Sequence, residues 1–312
     1  MEPIDLTGLK TYPLATRPSK VVVGDLGRPV APSTPIGDWI DTLPRQFAAV
    51  ELRKLRDHVV RCRREKHTVA AAIGGHVIKV GCAPYLIDWI KRGVIGCVAM
   101  NGSAAIHDFE LALAGKTSED VAAQLPGGQF GMARETADAF ARAAKLGRER
   151  GIGLGAALGQ YIDDIGCPHA DASLVCTARR AGIPCTIHVA LGTDIVHMHP
   201  QANGADVGEA SLTDFRILCR VVHGMAEGLW LNIGSAVVMP EVFLKAIAVA
   251  RNFGADLSGL VTANLDKEAK YRTRMNVLSR PSAQGIEIIG HHEILIPLLH
   301  AAVAAKLPPL AP

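Results

Sequence analysis

The sequence predicts an α/β fold in which one parallel sheet carries helices on both faces. The stretch from Gly74 to Glu110 places a glycine turn between each strand-like run and the helix that follows it. From residue 68 onward, short apolar runs alternate with amphipathic segments, which is typical of βαβ units. Glycine is frequent and aromatic residues make up only 4% of the chain, as expected where many turns join strands to helices. Right-handed crossovers then favour a single sheet.

Composition excludes several classes of protein. With 312 residues and 49% hydrophobic content, the chain can bury a sizeable core. A formal charge of +3 is too small to indicate a nucleic-acid partner. The seven cysteines include no C-x-x-C pair and therefore predict reduced thiols. Because no signal peptide and no membrane-spanning run is recognised, we expect a cytoplasmic protein without a membrane partner.

Proline separates the beginning of the chain from the rest. Residues 1–36 are predicted to form an extended N-terminal arm with a short strand at 21–23, because prolines interrupt any regular element there. Arms of this kind often pack against a second subunit. Residues 37–312 show no break in composition and are predicted to form one domain, which begins with a helical pattern over 36–67.

The predicted elements follow in order. Apolar runs closed by turn residues predict strands at 68–73, 94–100, 184–189, 229–233, 257–263 and 286–289. Helical spacing predicts helices at 83–92, 129–150, 154–164, 170–181, 211–225, 240–252 and 291–306. Ser118 is a predicted helix cap, and 264–285 is predicted to be a polar, basic loop.

Polar residues gather where four of the predicted strands end. These clusters are His76–Lys79, Asn101–Glu110, Gly192–His199 and Gly234–Ser235. A fifth, basic cluster is Lys267–Arg280. The carboxyl ends of parallel strands form one edge, where helix N-termini favour anionic ligands. A nucleotide-type site is therefore the first expectation, although no G-x-G-x-x-G pattern is present.

Several residues in these clusters have side chains suited to catalysis. His107 and Glu110 share one helix face and, with Asp108, could position an amine or transfer a proton. Lys79 lies between apolar residues, and burial could lower its pKa enough for imine chemistry. A solvated or phosphate-binding lysine is the alternative for Lys79.

Histidines allow a second kind of site. Asp194, His197 and His199 could bind zinc or iron, since a His-x-His pair in a strand places both rings on one face. Polar or substrate-binding histidines are the alternative. In the last predicted helix, the helix dipole would stabilise Glu293, while His291 or His292 reaches the site.

Six segments occur in an order that resembles a known family. They read GGHVIK, NGSAAIHDFE, TSEDV, GTDIVHMHP, NIGSAVVMPEVFLKA and GHHEI within residues 36–306. The chain is similar to the bacterial branch of the deoxyhypusine synthase family. This resemblance implies a Rossmann-like parallel sheet, a homotetramer and bound NAD that takes a hydride from a polyamine.

The resemblance and the residue types together define the predicted site. Predicted NAD contacts are Gly81, Asn101, Gly102, Ser103, Thr193, Asp194, Gly234 and Ser235. Predicted catalytic residues are Lys79, His107, Asp108, Asp194, His197 and His292. Predicted substrate contacts are Glu110, His199, Glu241, His291 and Glu293. No metal is predicted in this arrangement.

One departure from the family changes the expected reaction. The family carries its catalytic lysine in a Trp-Gly-Lys segment preceded by Arg-Pro-Asp-Glu, whereas residues 280–287 read RPSAQGIE here. Deoxyhypusine synthesis is therefore not expected. We predict an NAD-dependent enzyme that oxidises a C–N bond of a polyamine or basic amino acid to an imine, followed by transfer or hydrolysis. The alternatives are a metal-dependent lyase or hydrolase using Asp194, His197 and His199, and a non-catalytic nucleotide-binding protein.

Overall fold

The computed structural model describes residues 1–282 and 284–308. Within them, one sheet contains the strands β1 (Val69–Ile73), β2 (Cys97–Asn101), β3 (Cys185–His188), β4 (Leu229–Ile233), β5 (Val261–Asp266) and β6 (Gln284–Ile289). The strands are all parallel and lie in the order β3-β2-β1-β4-β5-β6. The predicted parallel sheet is confirmed.

Helices occupy most of the remaining chain. They are α1 (Ile36–Thr42), α2 (Phe47–Glu65), α3 (Gly75–Lys79), α4 (Ala83–Lys91), α5 (Gly102–Ala114), α6 (Val121–Gln124), α7 (Arg134–Arg150), α8 (Leu154–Asp164), α9 (Leu174–Arg180), α10 (Gly204–His223), α11 (Val238–Asn252), α12 (Tyr271–Thr273) and α13 (His292–Ala304). Short 3-10 helices lie at Leu14–Thr16, Val23–Asp25, Ala170–Ala172 and Ile195–Met198, and a π-helix at Arg274–Ser279. In the described ranges, no helix is long and apolar enough to cross a membrane.

Two hydrophobic cores lie on opposite faces of the sheet. Successive side chains of a strand point to opposite faces, so Ala70 and Ala72 pack on one side while Val69, Ala71 and Ile73 pack on the other. The smaller core joins the sheet to α10 and α11, where Trp230 stacks on Phe243 with ring centroids 4.0 Å apart. The larger core contains residues of α2, α4, α5 and α13. Helices therefore cover both faces, as predicted.

The first 67 residues differ from the prediction. No strand forms at 21–23; a 3-10 helix begins at Val23 instead. The predicted helix over 36–67 is divided into α1 and α2, with Pro44 between them, because proline cannot donate a helical hydrogen bond. Phe47, an apolar residue in this predicted helical pattern, is exposed. The division into an arm and a domain at residue 36 stays a prediction.

Three further predictions about local structure were wrong. The helix predicted to begin at residue 129 begins at Arg134, after Gly131 turns the chain with a positive φ of 76°. Asp120, not Ser118, caps α6 by accepting the N–H of Ala123 at 3.1 Å. The predicted basic loop at 264–285 contains α12 and the π-helix; its residue Ala283 lies outside the described residues.

Close packing of α8 on β3 gives a test of the fold. A Cβ on Gly155 would overlap the main-chain carbonyl of Cys185, and backbone cannot move aside cheaply. We expect Gly155→Ala to lower the free energy of unfolding by about 1–3 kcal/mol in denaturant titrations. Gly208 in α10 is the matched control, because its Cβ would meet open space and alanine should stabilise the helix by about 0.5–1 kcal/mol. Equal effects of the two substitutions would contradict this packing.

Candidate active site

Three glycine-containing turns meet where β1, β2 and β4 end. Gly74 donates its N–H to the carbonyl of Ile233 at 3.0 Å, and a Cβ on Gly74 would overlap the carbonyl oxygen of Gly234. A Cβ on Gly75 would overlap the hydroxyl of Ser103. The turns after β1 and β4 are thus in main-chain contact, and the turn after β1 also lies against the side chain of Ser103 in the turn after β2.

This contact lies where the strand order reverses. β1 has β2 on one side and β4 on the other, so the connections leave β1 and β4 in opposite directions. In open parallel sheets of this order, ligands bind outside the carboxyl ends of the strands at such a point. Both Gly234 and Ser235, predicted from sequence, lie there, and Ser235 is buried with its hydroxyl accepting the N–H of Met239 at 3.2 Å.

A cavity of about 500 Å³ opens beside these turns. Six residues predicted from sequence line it, namely Lys79, Ser103, His107, Glu110, Thr193 and Asp194. The remaining lining residues were not predicted, and they are Ile106, Lys116, Thr117, Ser118, Glu119, Val121, Phe130, Ala133 and Ile195. Most of these lie in the segment 116–133, which contains the TSEDV segment of the family resemblance. The cavity therefore depends on a segment to which the sequence alone assigned no site residue.

A hydrogen-bonded group on one wall joins α5 to this segment. The hydroxyl of Thr117 lies 2.7 Å from Nδ1 of His107 and 2.5 Å from Oε2 of Glu110. Thr136 donates to the other oxygen of Glu110 at 3.1 Å. Burial alone would raise the pKa of Glu110, but the nearby His107 and hydrogen bonds from Thr117 and Thr136 outweigh it and lower that pKa below its ordinary value. Glu110 is accordingly a carboxylate at neutral pH.

Asp194 lies against the first turn of α5. A Cβ on Gly102 would overlap its carboxylate, and Oδ2 of Asp194 is buried without a hydrogen-bond partner in the described residues. Burial raises the pKa of Asp194, while the nearby His197 opposes that rise. A buried carboxylate oxygen normally has a donor, so this one requires a partner such as a water molecule or a ligand. Nδ1 of His197 is also buried and unpartnered among the same residues.

Lys79 does not have the environment that imine chemistry requires. It lies in α3, not at a strand end, and its side chain is exposed at the rim of the cavity. The expectation that burial activates this amine is therefore wrong. Lys116, also exposed, lines the same cavity. Both lysines are placed to contact an anionic group.

Asp108 is buried on the other side of α5 and does not line the cavity. It accepts the hydroxyl of Ser173 at 2.5 Å and the N–H groups of Leu174 and Val175 at 2.7 and 3.3 Å, at the start of α9. Burial raises the pKa of Asp108 to about 6, although these hydrogen bonds oppose the rise. The structure contradicts a catalytic position for this residue, because neighbouring positions on a helix point in different directions.

His292 is buried beneath the turn after β4. Its Nε2 donates to the carbonyl of Leu265 at 3.1 Å, and its Nδ1 is buried and unpartnered within the described chain. A Cβ on Gly234 would contact its ring at 2.9 Å.

His291 and Glu293 are exposed and lie 3.6 Å apart at the start of α13, outside the cavity lining.

The proposed metal ligands do not converge. The segment Ile195–Met198 is a 3-10 helix, so the expectation of a His-x-His pair in a strand is wrong. Nε2 of His199 lies 2.8 Å from the carbonyl of Gly131 and is engaged there. Among residues 1–282 and 284–308, no group of three or more His, Cys, Asp or Glu side chains is arranged to hold a metal ion. The alternative site at Asp194, His197 and His199 is therefore not supported by this geometry.

The other predicted residues lie at the edges of the site or outside it. Asn101 caps α5 by accepting the N–H of Ala104 at 2.9 Å. Gly81 follows α3 with a positive φ of 77° and open space beside it. Glu241 is bound by Lys245 and Arg272, and it accepts the side-chain amide of Asn276 at 2.9 Å. Because it lies outside the cavity lining and is already paired, Glu241 is not positioned as a substrate contact.

Comparisons with known proteins identify the fold. No protein-family model matches the sequence, and no curated protein matches it. Among solved structures, the complex of AgrE with ornithine and NAD+ has a TM-score of 0.57 and 12% identity over 82% of this chain. A candidate LOR/SDH protein from Methanococcus maripaludis S2 has a TM-score of 0.52 and 14% identity, covering 83% of this chain and 70% of its own.

A third structure shows the same fold over almost its whole length. A candidate deoxyhypusine synthase from Entamoeba histolytica has a TM-score of 0.53 and 9% identity, with 90% of this chain and 96% of its own covered. In contrast, this chain spans only 33% of the length of AgrE. The chain therefore has the deoxyhypusine synthase-like, Rossmann-like fold that the sequence predicts.

The buried contacts of Asp108 predict a structural effect of its removal. Asp108→Ala leaves one hydroxyl and two N–H groups without their acceptor, so we expect the free energy of unfolding to fall by about 3 kcal/mol. Asp108→Asn retains a carbonyl oxygen and should lose less. Denaturant titration measures both. A fully stable Asp108→Ala variant would contradict this assignment.

Proposed function

We propose that the chain binds NAD at the three turns and oxidises a C–N bond of a basic amino acid or polyamine to an imine. The observation that supports this most is the position of the acidic cavity directly beside the glycine turns at the reversal of strand order. A cofactor bound across that edge would face a substrate bound by Glu110 and Asp194. The reaction would end with hydrolysis of the imine or its transfer to an amine.

The residues at the turns fit a dinucleotide. Gly102 begins α5, and Gly234 and Ser235 precede α11, and helix N-termini favour phosphate. Asp194 lines the cavity, and its Oδ2 is a buried acceptor without a partner in the described chain, for which a water molecule or a ribose hydroxyl that reached it would be a donor. The complex of AgrE with NAD+ shows that a protein of this fold takes the same cofactor.

Charges in the cavity favour an amino acid over a polyamine. Glu110, Glu119 and Asp194 would bind ammonium or guanidinium groups, whereas Lys79 and Lys116 would bind a carboxylate. A polyamine has no carboxylate that Lys79 and Lys116 could bind. AgrE was crystallised with ornithine, a basic amino acid. We therefore place basic amino acids ahead of polyamines as substrates.

The chain's own residues would bind and deprotonate the substrate. NAD+, when bound, supplies the hydride acceptor. Glu110 and Asp194 orient the substrate's cationic groups, and His107 is positioned to take up a proton from the reacting nitrogen. Because residues 280–287 contain no lysine and Lys79 is exposed, we propose that no enzyme–substrate imine forms and that water or a free amine attacks instead.

We also propose that the chain works as a homo-oligomer, with a tetramer as the expected form. Large apolar side chains of the first 30 residues are exposed, and they are Met1, Ile4, Leu6, Leu9, Tyr12, Leu14, Val21, Val22, Val23, Leu26 and Val30. Such an apolar arm requires a covering surface, and a second copy of the chain can provide one.

Binding and turnover test this function separately. We expect the purified chain to bind NAD+ in calorimetry, and to form NADH, followed by absorbance, when ornithine, arginine or spermidine is added. Asp194→Asn removes the buried charge and should weaken NAD+ or substrate binding about 10–100-fold. Asp171→Asn, on an exposed side chain outside the cavity, is the matched control and should bind as the wild type does.

The results for NAD+ binding and NADH formation distinguish the proposed enzyme from the alternative functions. NAD+ binding without NADH formation for any of these substrates would favour a non-catalytic nucleotide-binding protein. Failure to bind NAD+ would overturn the proposal.

A further inference from the structure

We propose that Thr117 is a positioning residue that holds His107 in a single tautomer, with the proton on Nδ1 and Nε2 free to act as a base. This inference deepens the proposed function and rests on it for the chemical step, but the tautomer itself follows from the hydrogen bonds of Thr117 with His107 and Glu110. Thr117 contacts both His107 and Glu110, and it lies between them.

The Thr117 hydroxyl has a single hydrogen, and this fixes which atom donates in each of its two contacts. A carboxylate can only accept hydrogen bonds. Glu110 is ionised at neutral pH, so Thr117 must donate its one hydroxyl hydrogen across the 2.5 Å contact to Oε2. No hydrogen remains on Thr117 for the imidazole. The 2.7 Å contact with Nδ1 of His107 therefore requires His107 to donate and the threonine oxygen to accept.

The other ring nitrogen of His107, Nε2, has no partner in the described chain and is accessible from the cavity. Nε2 makes no hydrogen bond with the residues that the structure describes, and it is not among their buried unpartnered atoms. The ring lines the cavity, and its Cδ2 atom, next to Nε2, lies 3.2 Å from the position of a Cβ on Gly75. In the neutral ring, Nε2 carries a lone pair and is accessible from the cavity, next to the turn after β1.

Glu110 is itself held in one orientation. Thr136, which is buried, donates to Oε1 at 3.1 Å, while Oε2 accepts from Thr117. Each oxygen accepts from a different threonine, and these two hydrogen bonds hold the carboxylate in its orientation toward Thr117. The shortest separation of Nδ1 and Oε2 is 3.9 Å, too long for a direct hydrogen bond. Thr117 is thus the only described link through which the carboxylate orients the ring.

The resulting step balances in atoms and charge. Nε2 of neutral His107 takes one proton from the substrate ammonium, R–CH2–NH3+, which leaves the neutral amine and an imidazolium. The C–H bond then breaks with its electron pair going to NAD+, and the nitrogen lone pair forms the C=N bond of R–CH=NH2+. Thr117 and Glu110 stabilise the imidazolium because Nδ1 still donates toward the carboxylate.

Nuclear magnetic resonance tests the tautomer without requiring turnover. Long-range ¹H–¹⁵N correlation spectra of the ¹⁵N-labelled full chain distinguish a protonated Nδ1 from a protonated Nε2, and the spectrum of His107→Gln identifies the signals of His107. We expect a protonated Nδ1 in the wild type. Thr117→Val removes the acceptor and should mix the two tautomers, whereas Thr117→Ser should restore the wild-type spectrum.

Thr136→Val is the matched control for this measurement. It removes a hydroxyl that donates to Glu110 but makes no hydrogen bond with His107, so the Nδ1 tautomer should persist. A wild-type ring protonated on Nε2 alone would overturn the proposal. An unchanged tautomer in Thr117→Val would overturn it as well.

Kinetics then separate this proposal from the proposed function. If the wild type forms NADH, Thr117→Val should lower kcat by about 10–100-fold with little change in KM, and Thr117→Ser should recover most of the loss. Unchanged kcat in Thr117→Val would contradict the positioning role. If the wild type forms no NADH while the Nδ1 tautomer is observed, the proposed function fails and the tautomer assignment stands.

Discussion

The main-chain contact between the turns after β1 and β4 sets the geometry of the whole site. Gly74 cannot carry a side chain because the carbonyl of Gly234 occupies that space. The same restriction at Gly75 brings Ser103 and α5 close to α3. Because α5 also carries His107 and Glu110, the distance between two glycine turns decides where the titratable side chains lie. A larger residue at either turn would move the cavity wall.

Burial alone does not distinguish structural from functional carboxylates here. Asp108 lies outside the cavity lining, and its oxygens accept hydrogen bonds from Ser173 and the start of α9, so this residue has a structural role. Asp194 is also buried, but one oxygen has no donor in the described chain. An unsatisfied buried acceptor is unfavourable unless a ligand or water completes it. The hydrogen-bond partners of the two carboxylates, rather than their exposure, therefore distinguish the structural Asp108 from Asp194, for which we propose a functional role.

A single fold can host several functions, so the fold cannot specify the reaction by itself. The segment 116–133 supplies much of the cavity wall in this chain, including Lys116, Thr117 and Glu119. Under the proposed function, lysines and carboxylates together on that wall would bind a zwitterionic substrate better than a purely cationic one. The glycine turns would then contact the cofactor, and the segment 116–133 would select the substrate.

The sequence by itself determined the alternation of strands and helices, the parallel sheet and the glycine turns, because these depend on local apolar periodicity and on residues with unusual backbone freedom. It also placed His107, Glu110 and Asp194 at strand ends. Only the tertiary structure decided which oxygens and nitrogens remain unpartnered, since Thr117 and Thr136 reach Glu110 from separate segments. For the same reason, sequence could not show that Lys79 is exposed or that His199 is engaged by Gly131. These features depend on contacts between residues far apart in the sequence, and no local sequence pattern encodes such contacts.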